Sequence, residues 1–170
     1  MAANNPATYT IEDATFTLVN PTREGYTFVG WTGSNGNSPQ TTVTIPAGST
    51  GDREYTAHWA PTVYTITYNL DGGSANNPAT YTIEDATFTL TNPTRSGYTF
   101  TGWTGTDLDE ASNEVSIANN SIGNRVYTAT WSIITYNISY DLNGGSLEGE
   151  NPATFPVEDG NITLTNPTRD

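Results

Sequence analysis

The chain predicts a mainly β protein, built from tandem copies of one small module with little or no helix. Three observations carry this expectation: an internal repeat at an offset of 72 residues, apolar residues alternating with threonine at period two, and turn residues recurring at fixed places in each copy. The repeat is read directly. Residues 4–18 spell NNPATYTIEDATFTL, and residues 76–90 are the same letter for letter. GYTFVGWTG at Gly25 returns as GYTFTGWTG at Gly97, and REYTAHW at Arg53 as RVYTATW at Arg125. VYTITYNLDGGS at Val63 returns loosely as TYNISYDLNGGS at Thr135. The NPATY of the first two copies returns a third time as NPATF at Asn151, 74 residues after its counterpart at Asn77, with the two extra residues falling in 147–150.

Each element follows in order along one copy. The opening strand sets Tyr64, Ile66, Tyr68 and Leu70 against Thr65, Thr67 and Asn69, so one face is apolar. Asp71-Gly72-Gly73 then supplies a turn that tolerates positive φ. Tyr9 and Ile11 alternate with Thr8 and Thr10, and Phe16 and Leu18 with Thr15 and Thr17. Glu12-Asp13-Ala14 and Glu84-Asp85-Ala86 separate those two short strands; Glu158-Asp159-Gly160 in the third copy is a stronger hairpin signal. Asn20-Pro21 and Asn92-Pro93 start a turn ahead of Gly25 and Gly97. Tyr55, Ala57 and Trp59 close the copy, and threonine, whose β-branch suits the pleat, covers much of the opposite face. The best helical candidate is a turn or two near Leu108-Asp109-Glu110-Ala111. Framed from the opening strand to YTAxW, residues 1–62 form a module lacking its opening strand, 63–132 a complete module, and 133–170 the first half of a third. The chain then reads as a segment of a longer array. Ala60-Pro61-Thr62 and Ser132-Ile133-Ile134 are expected as short, tight linkers that favour extension over compact packing.

Composition narrows the function. Of the 170 residues, 18 are acidic and 5 basic, a net charge of −13, which opposes binding to nucleic acid or an anionic membrane. Cysteine is absent, so no disulfide or thiolate chemistry is available. Lysine is also absent, which removes Schiff-base chemistry and a P-loop. No apolar run is long enough to span a bilayer, and Met1-Ala2-Ala3 has no signal-peptide character.

GYTFxGW, the closing YTAxW and the opening YTITYNLDGG together resemble the internalin B-type B-repeat, also called the Listeria–Bacteroides repeat. The resemblance covers nearly the whole chain. It implies β-grasp-like modules in tandem arrays on secreted or wall-anchored bacterial surface proteins, and it implies no catalytic residues. One departure stands out. Where β-grasp folds often carry a helix, this chain reads TTVTIPAGSTG, which suggests strand and loop.

Trp31, Trp59, Trp103 and Trp131 are expected in the core rather than as a glycan platform, because an aromatic needed in every copy is a packing residue. The Glu-Asp pairs recur three times as sequence neighbours, which suits a solvated turn better than a glycosidase needing two carboxylates across one bond. Arg23, Arg95 and Arg169 share one position and Arg53 and Arg125 another; bidentate pairing with an acid of the same module, such as Glu12 or Asp13, is expected. Asp107, Asp109, Glu110 and Glu114 form an acidic cluster without EF-hand spacing, and a charged loop is the expectation over calcium. His58 has Thr130 as its counterpart. No catalytic, cofactor-binding or metal residue is therefore expected, and no cofactor. The expected function is a stalk or spacer segment of an adhesin-like protein at the bacterial cell surface or wall. The alternative is direct binding of a host protein or glycan through the stretches that differ most between copies, 34–54 and 106–126. The two incomplete copies also suggest head-to-tail self-association, with residues 136–145 of one molecule filling the first module of the next. Far-UV circular dichroism should show little helix; helical minima dominating the spectrum would overturn the fold expectation.

Overall fold

A computed structural model describes residues 4–169; Met1–Ala3 and Asp170 lie outside the described residues, so nothing structural bears on the signal-peptide reading. Among the described residues the regular structure is β-strand, apart from one 3-10 turn at Val157–Asp159. The first copy carries β1 (Phe16–Thr17), β2 (Tyr26–Gly33), β3 (Gly36–Gln40), β4 (Thr44–Ile45) and β5 (Tyr55–Pro61). The second carries β6 (Tyr64–Asn69), β7 (Thr80–Tyr81), β8 (Phe88–Thr89), β9 (Tyr98–Gly105), β10 (Leu108–Ser112), β11 (Ser116–Ile117) and β12 (Arg125–Ile133). The third adds β13 (Thr135–Asn137) and β14 (Thr154–Pro156).

The chain divides into two compact units. The first runs up to Thr65 and adds Ala79–Phe88 and Ile117–Asn124; the second holds Ile66–Pro78, Thr89–Ser116 and the residues from Arg125 on. In the first unit β3, β2 and β5 form an antiparallel sheet in that order, and β1 pairs with β4. The start of β6 pairs there with β7, Tyr64 opposite Tyr81. In the second unit the order is β10-β9-β12-β6, and β13 pairs with β14. The β6–β12 pairing is parallel, with Ile66 opposite Arg125 and Tyr68 opposite Tyr127, while the other pairs are antiparallel. The first and last strands of the second copy thus run side by side. No helix bridges them among the described residues.

The core of the second unit gathers Trp103, Tyr127, Ile66, Leu90, Val115 and Ala129, all buried. Tyr68 lies against both Trp103 (5.9 Å between centroids) and Tyr127 (6.4 Å). A buried indole needs a partner for its N–H. Asn92 supplies it, accepting from Trp103 Nε1 at 3.1 Å and donating from its amide to Asn113 O. Asn20 does the same for Trp31 and Thr41. The Asn-Pro dipeptide is therefore more than a turn starter. A second asparagine recurs as a clamp: Asn77 makes paired bonds with Thr91, as Asn5 does with Val19 and Asn151 with Thr165.

Four expectations need correction. The Leu108–Ala111 region is strand β10, because a two-residue turn at Thr106-Asp107, with Asp107 at φ 60°, folds it back on β9. The segments around Glu84-Asp85 are not a hairpin: β7 pairs with β6 and β8 with β11. Glu158-Asp159-Gly160 likewise makes a 3-10 turn and a bend rather than a hairpin. Ile11, expected in a buried strand face, sits in a turn and is 61% exposed. Finally, Ala60-Pro61 and Ser132-Ile133 are strand rather than linker. Pro61 pairs with Tyr26, Ile133 pairs with Tyr98, and Thr62 and Ile134 donate to the carbonyls of Gly25 and Gly97.

Two predictions follow from this packing. Asn92→Ala strands the Trp103 indole N–H and should lower stability by about 1–3 kcal/mol in chemical denaturation, less than the roughly 3–5 kcal/mol expected for Trp103→Ala. Burial, with the neighbouring Tyr127, pushes the Tyr68 phenol from 10.0 up to about 12. The unfolded chain then releases this proton before the folded one does, so stability should hold up to about pH 10 and fall between there and about pH 12. Tyr68→Phe should flatten that alkaline loss in a melting series.

Candidate functional site

The four tryptophans pack against other aromatic rings. Trp31 and Trp103 are buried, and Trp59 and Trp131 half-buried. Phe28 packs edge-on between Trp31 and Trp59, and Phe100 between Trp103 and Trp131. Trp131 also donates to Leu70 O and covers Gly73.

Arg95 and Arg125 each pair with an acid of their own module, as expected, the acids being Asp71 and Asp107. Arg23 lies over the ring of Tyr26 and Arg95 over that of Tyr98, each at 3.7 Å, a cation–π contact that sequence spacing did not single out. Arg95 also bonds Asp71 at 2.9 Å. Arg125 bonds Asp107 at 2.5 Å, and Arg53 donates to the Tyr9 hydroxyl. Asp107 is thereby drawn to an arginine, while Asp109, Glu110 and Glu114 are exposed along and after β10. No three acidic or histidine side chains are gathered to hold a metal ion among the described residues. His58 shares a hydrogen bond with Thr32 at 2.6 Å on the sheet.

The Glu-Asp turns do two different things. The aspartate works locally: Asp13 accepts from Thr10 N and Asp85 from Thr82 N, closing an Asx-type turn. The glutamate works between copies. Glu84 of the second copy accepts from the hydroxyl of Tyr26 in the first, at 3.0 Å, and Ile83 lies directly on Gly25. Tyr98 donates to Glu158 in the same way, and Val157 lies on Gly97. Both glycines have φ near +77°, at 75° and 78°, and a Cβ on Gly97 would come within 2.5 Å of Val157 Cγ1. Each tyrosine phenol is raised above its ordinary value, first by this bond to a carboxylate and then by desolvation. The same four-residue contact is therefore made twice, once within each unit. Sequence reading placed the tyrosines on strands and the glutamates in solvent; the signal that each recurs beside a fixed glycine or aspartate was there, but not that they meet.

The first unit also holds an open cleft of about 720 Å³ beside β5. Tyr9, Phe16, Leu18, Trp31, Ile45 and Tyr55 line it. Their counterparts in the second copy surround or adjoin β6. Tyr81 and Leu90 are buried there at 3% and 4% exposure, whereas Tyr9 and Leu18, within the identical 15-residue stretch, are only half-buried.

Comparison with known proteins agrees with these observations. The family model described as the Listeria–Bacteroides repeat domain matches residues 64–125, and that of the divergent InlB B-repeat domain matches residues 2–63. Internalin H of Listeria monocytogenes is 32% identical over 83 residues, covering 49% of this chain and 15% of the relative. A Gly-rich membrane protein of Evansella cellulosilytica is 28% identical over 137 residues, covering 81% of this chain and 16% of the relative. The chain thus spans about a sixth of the length of these relatives. No solved structure matches it. No helix among the described residues is long and apolar enough to cross a membrane. With two adjoining matches across residues 2–125 and an internalin among the relatives it matches, the chain belongs to the Listeria–Bacteroides, or InlB-type, B-repeat family.

Proposed function

We propose that the chain is a non-catalytic spacer from the repeat region of an extracellular, cell-surface or wall-associated bacterial protein, with module frames 1–62, 63–132 and 133–170. The observation that carries this reading is the twice-made contact: Tyr26 with Glu84 over Gly25–Ile83, and Tyr98 with Glu158 over Gly97–Val157. A spacer needs each copy fixed to the next without a slack linker. Here the closing strand of one copy is hydrogen-bonded almost to the first residue of the next opening strand. The residues making the contact sit outside the stretches that vary, so one copy can follow another without a special adaptor.

A second reading has one observation in its favour. The stretches that differ most between copies contain β3 and β10, the outer strands of their sheets, and β3 is exposed along its whole length. An open edge of varying sequence is a place for a host protein or glycan to bind. Immobilised glycans and matrix proteins separate the two readings. The spacer reading expects no saturable retention. Saturable retention that is lost when residues 106–126 are replaced by 34–54 would favour the binding reading instead.

The contact between copies has its own test. Tyr98→Phe keeps the ring under Arg95 and removes the donor to Glu158. Amide exchange should rise at residues 157–160 while the amides of Trp103 and Tyr127 stay protected. Because the bonded phenols are held above their ordinary value, their contribution is present through neutral pH and should be lost as pH rises past about 10.

A further inference from the structure

We propose that Asn143 is a self-modification site: its side-chain amide is lost to attack by the backbone nitrogen of Gly144, and the carboxylate that forms pairs with Arg169. Comparing the copies makes the case. Asn-Gly occurs twice in the chain, at Asn35-Gly36 and Asn143-Gly144. Each of these asparagines stands where the second copy has an aspartate, Asp107 for Asn35 and Asp71 for Asn143, at an offset of 72 residues in both cases. Both of those aspartates bond an arginine: Asp71 takes Arg95 at 2.9 Å, and Asp107 takes Arg125 at 2.5 Å. The arginines have counterparts too, Arg169 and Arg53. Each asparagine therefore lacks only a charge to match an ion pair of the second copy. The third copy also repeats the backbone of the second at this turn. Asp71 and Gly72 have φ of 46° and 79°, and Asn143 and Gly144 have 44° and 82°. Gly73 N donates to Leu70 O, and Gly145 N to Leu142 O, at 2.9 Å each. Just past the turn Ser74 and Thr94 exchange backbone hydrogen bonds, and so do Ser146 and Thr168. That bridge sets residue 169 at the place of residue 95.

The reaction needs only water. Glycine has no side chain to shield its backbone nitrogen, so the nitrogen can approach the amide carbon of the preceding asparagine. Gly144 N forms a bond to Asn143 Cγ, its proton passes to the departing amide nitrogen, and ammonia leaves as a five-membered succinimide closes. Water then opens the ring. Breaking the new Cγ–N bond restores the backbone and leaves aspartate; breaking the original peptide bond leaves isoaspartate. In sum, one amide and one water give one carboxylate and one ammonium ion. Asn143 is exposed, and among the described residues no hydrogen bond holds its side chain. A Cβ on Gly144 would meet nothing within 4 Å, so the approach is open. The bond that closes the turn is donated by Gly145 N rather than Gly144 N. Asn143 must swing out of the turn for Gly144 N to reach Cγ, and an exposed turn closed by one backbone bond opens locally at low cost. Asn35 is the protected counterpart. It is half-buried, its Nδ2 donates to Trp31 O at 2.8 Å, and its Oδ1 is buried without a hydrogen-bond partner among the described residues. Attack at Asn35 would put negative charge on an oxygen that no donor stabilises, whereas at Asn143 solvent supplies the donor. The carboxylate formed at position 143 is exposed, so its pair with Arg169 ties one turn and adds little to the stability of the whole chain.

The test uses the whole chain, aged in weakly alkaline buffer and followed by peptide mass spectrometry, with isoaspartate told apart from aspartate by isoaspartyl methyltransferase labelling. Asn143 should convert first, roughly tenfold or more ahead of Asn35, where the reacting oxygen lacks a donor. Asn143→Gln should remove the conversion while the amides of Trp103 and Tyr127 stay protected. Asn143→Asp carries the product from the start. Its amides at Gly145, Ser146 and Thr168 should exchange more slowly than those of the parent chain. That gain should vanish when Arg169→Gln is added, and fade as salt rises. An Asn143 that does not react would overturn the proposal. So would conversion at Asn35 as fast as at Asn143, isoaspartate as the sole product at position 143, or no Arg169-dependent slowing in Asn143→Asp.

Discussion

The rest of a repeat depends on one strand lying parallel to another that closes the same copy some sixty residues later. Strand β6 reaches across to β12, and its inward residues Ile66 and Tyr68 complete the wall around Trp103 and Tyr127. A parallel neighbour cannot be joined by a short turn, so everything between the two strands is the crossover. In most folds of this kind a helix does that work. Here β7 to β11 do it, with the two-residue strands β7, β8 and β11 held by asparagine side chains and tight turns rather than by helical hydrogen bonds. Strands of two residues have almost no stability of their own. They persist because the tryptophan core and the asparagine clamps fix their ends.

The first copy shows what the strand contributes. An identical stretch of fifteen residues is strand and buried core beside β6, and half-buried coil where β6 has no counterpart among the described residues. Propensity is the same in both places, so the difference is tertiary context alone. It is also local. Trp31, Val43 and Ile45 stay buried, the β2–β5 pairing keeps the register of β9–β12, and Asn20 still holds its indole. The half of the copy built on GYTFxGW and YTAxW is thus self-consistent, and the opening strand adds a second layer of burial.

Much of this was legible before the structure. Period-two alternation located the opening strand, the GYTFxGW strand and the closing strand, and the repeat arithmetic matched equivalent residues across copies. The misses have physical reasons. Leu108-Asp109-Glu110-Ala111 has helix-forming residues, but the turn at Thr106-Asp107 overrides propensity by folding them onto β9. Ala60-Pro61-Thr62 has linker composition, yet proline at a strand end loses no ladder bond it needed, and Pro61 sits opposite Tyr26. The arginine positions were recognised as special, but only geometry could show a guanidinium stacked on the tyrosine three residues on, with the acid supplied by Asp71 instead of Glu12 or Asp13. Contacts between copies leave no trace in periodicity, because each half looks like an ordinary surface residue in its own copy.

The twin acids of the repeated turn explain how an array and a fold can share one short motif. Asp85 turns back to accept from Thr82 N and shapes the turn; Glu84, one residue earlier, accepts from the hydroxyl of Tyr26 in the preceding copy. Exchanging the two would lose both functions, since the shorter side chain closes the local ring and the longer one reaches the neighbour. Tyr26 is fixed in turn by Arg23 above its ring, and Tyr98 by Arg95. The guanidinium favours a proton-free phenol, but the bond to the carboxylate outweighs it, and the phenol stays protonated and able to donate. Arginine, tyrosine and glutamate therefore form a short chain of alternating donors and acceptors that runs from one copy into the next. Glycine beneath the tyrosine lets the isoleucine or valine of the neighbour approach the backbone. The arginine, tyrosine, glutamate and isoleucine positions of this contact lie in the part of the repeat that the first two copies share almost letter for letter, outside the edge strands that differ. A module organised in this way can change its exposed edge without disturbing how it joins the next.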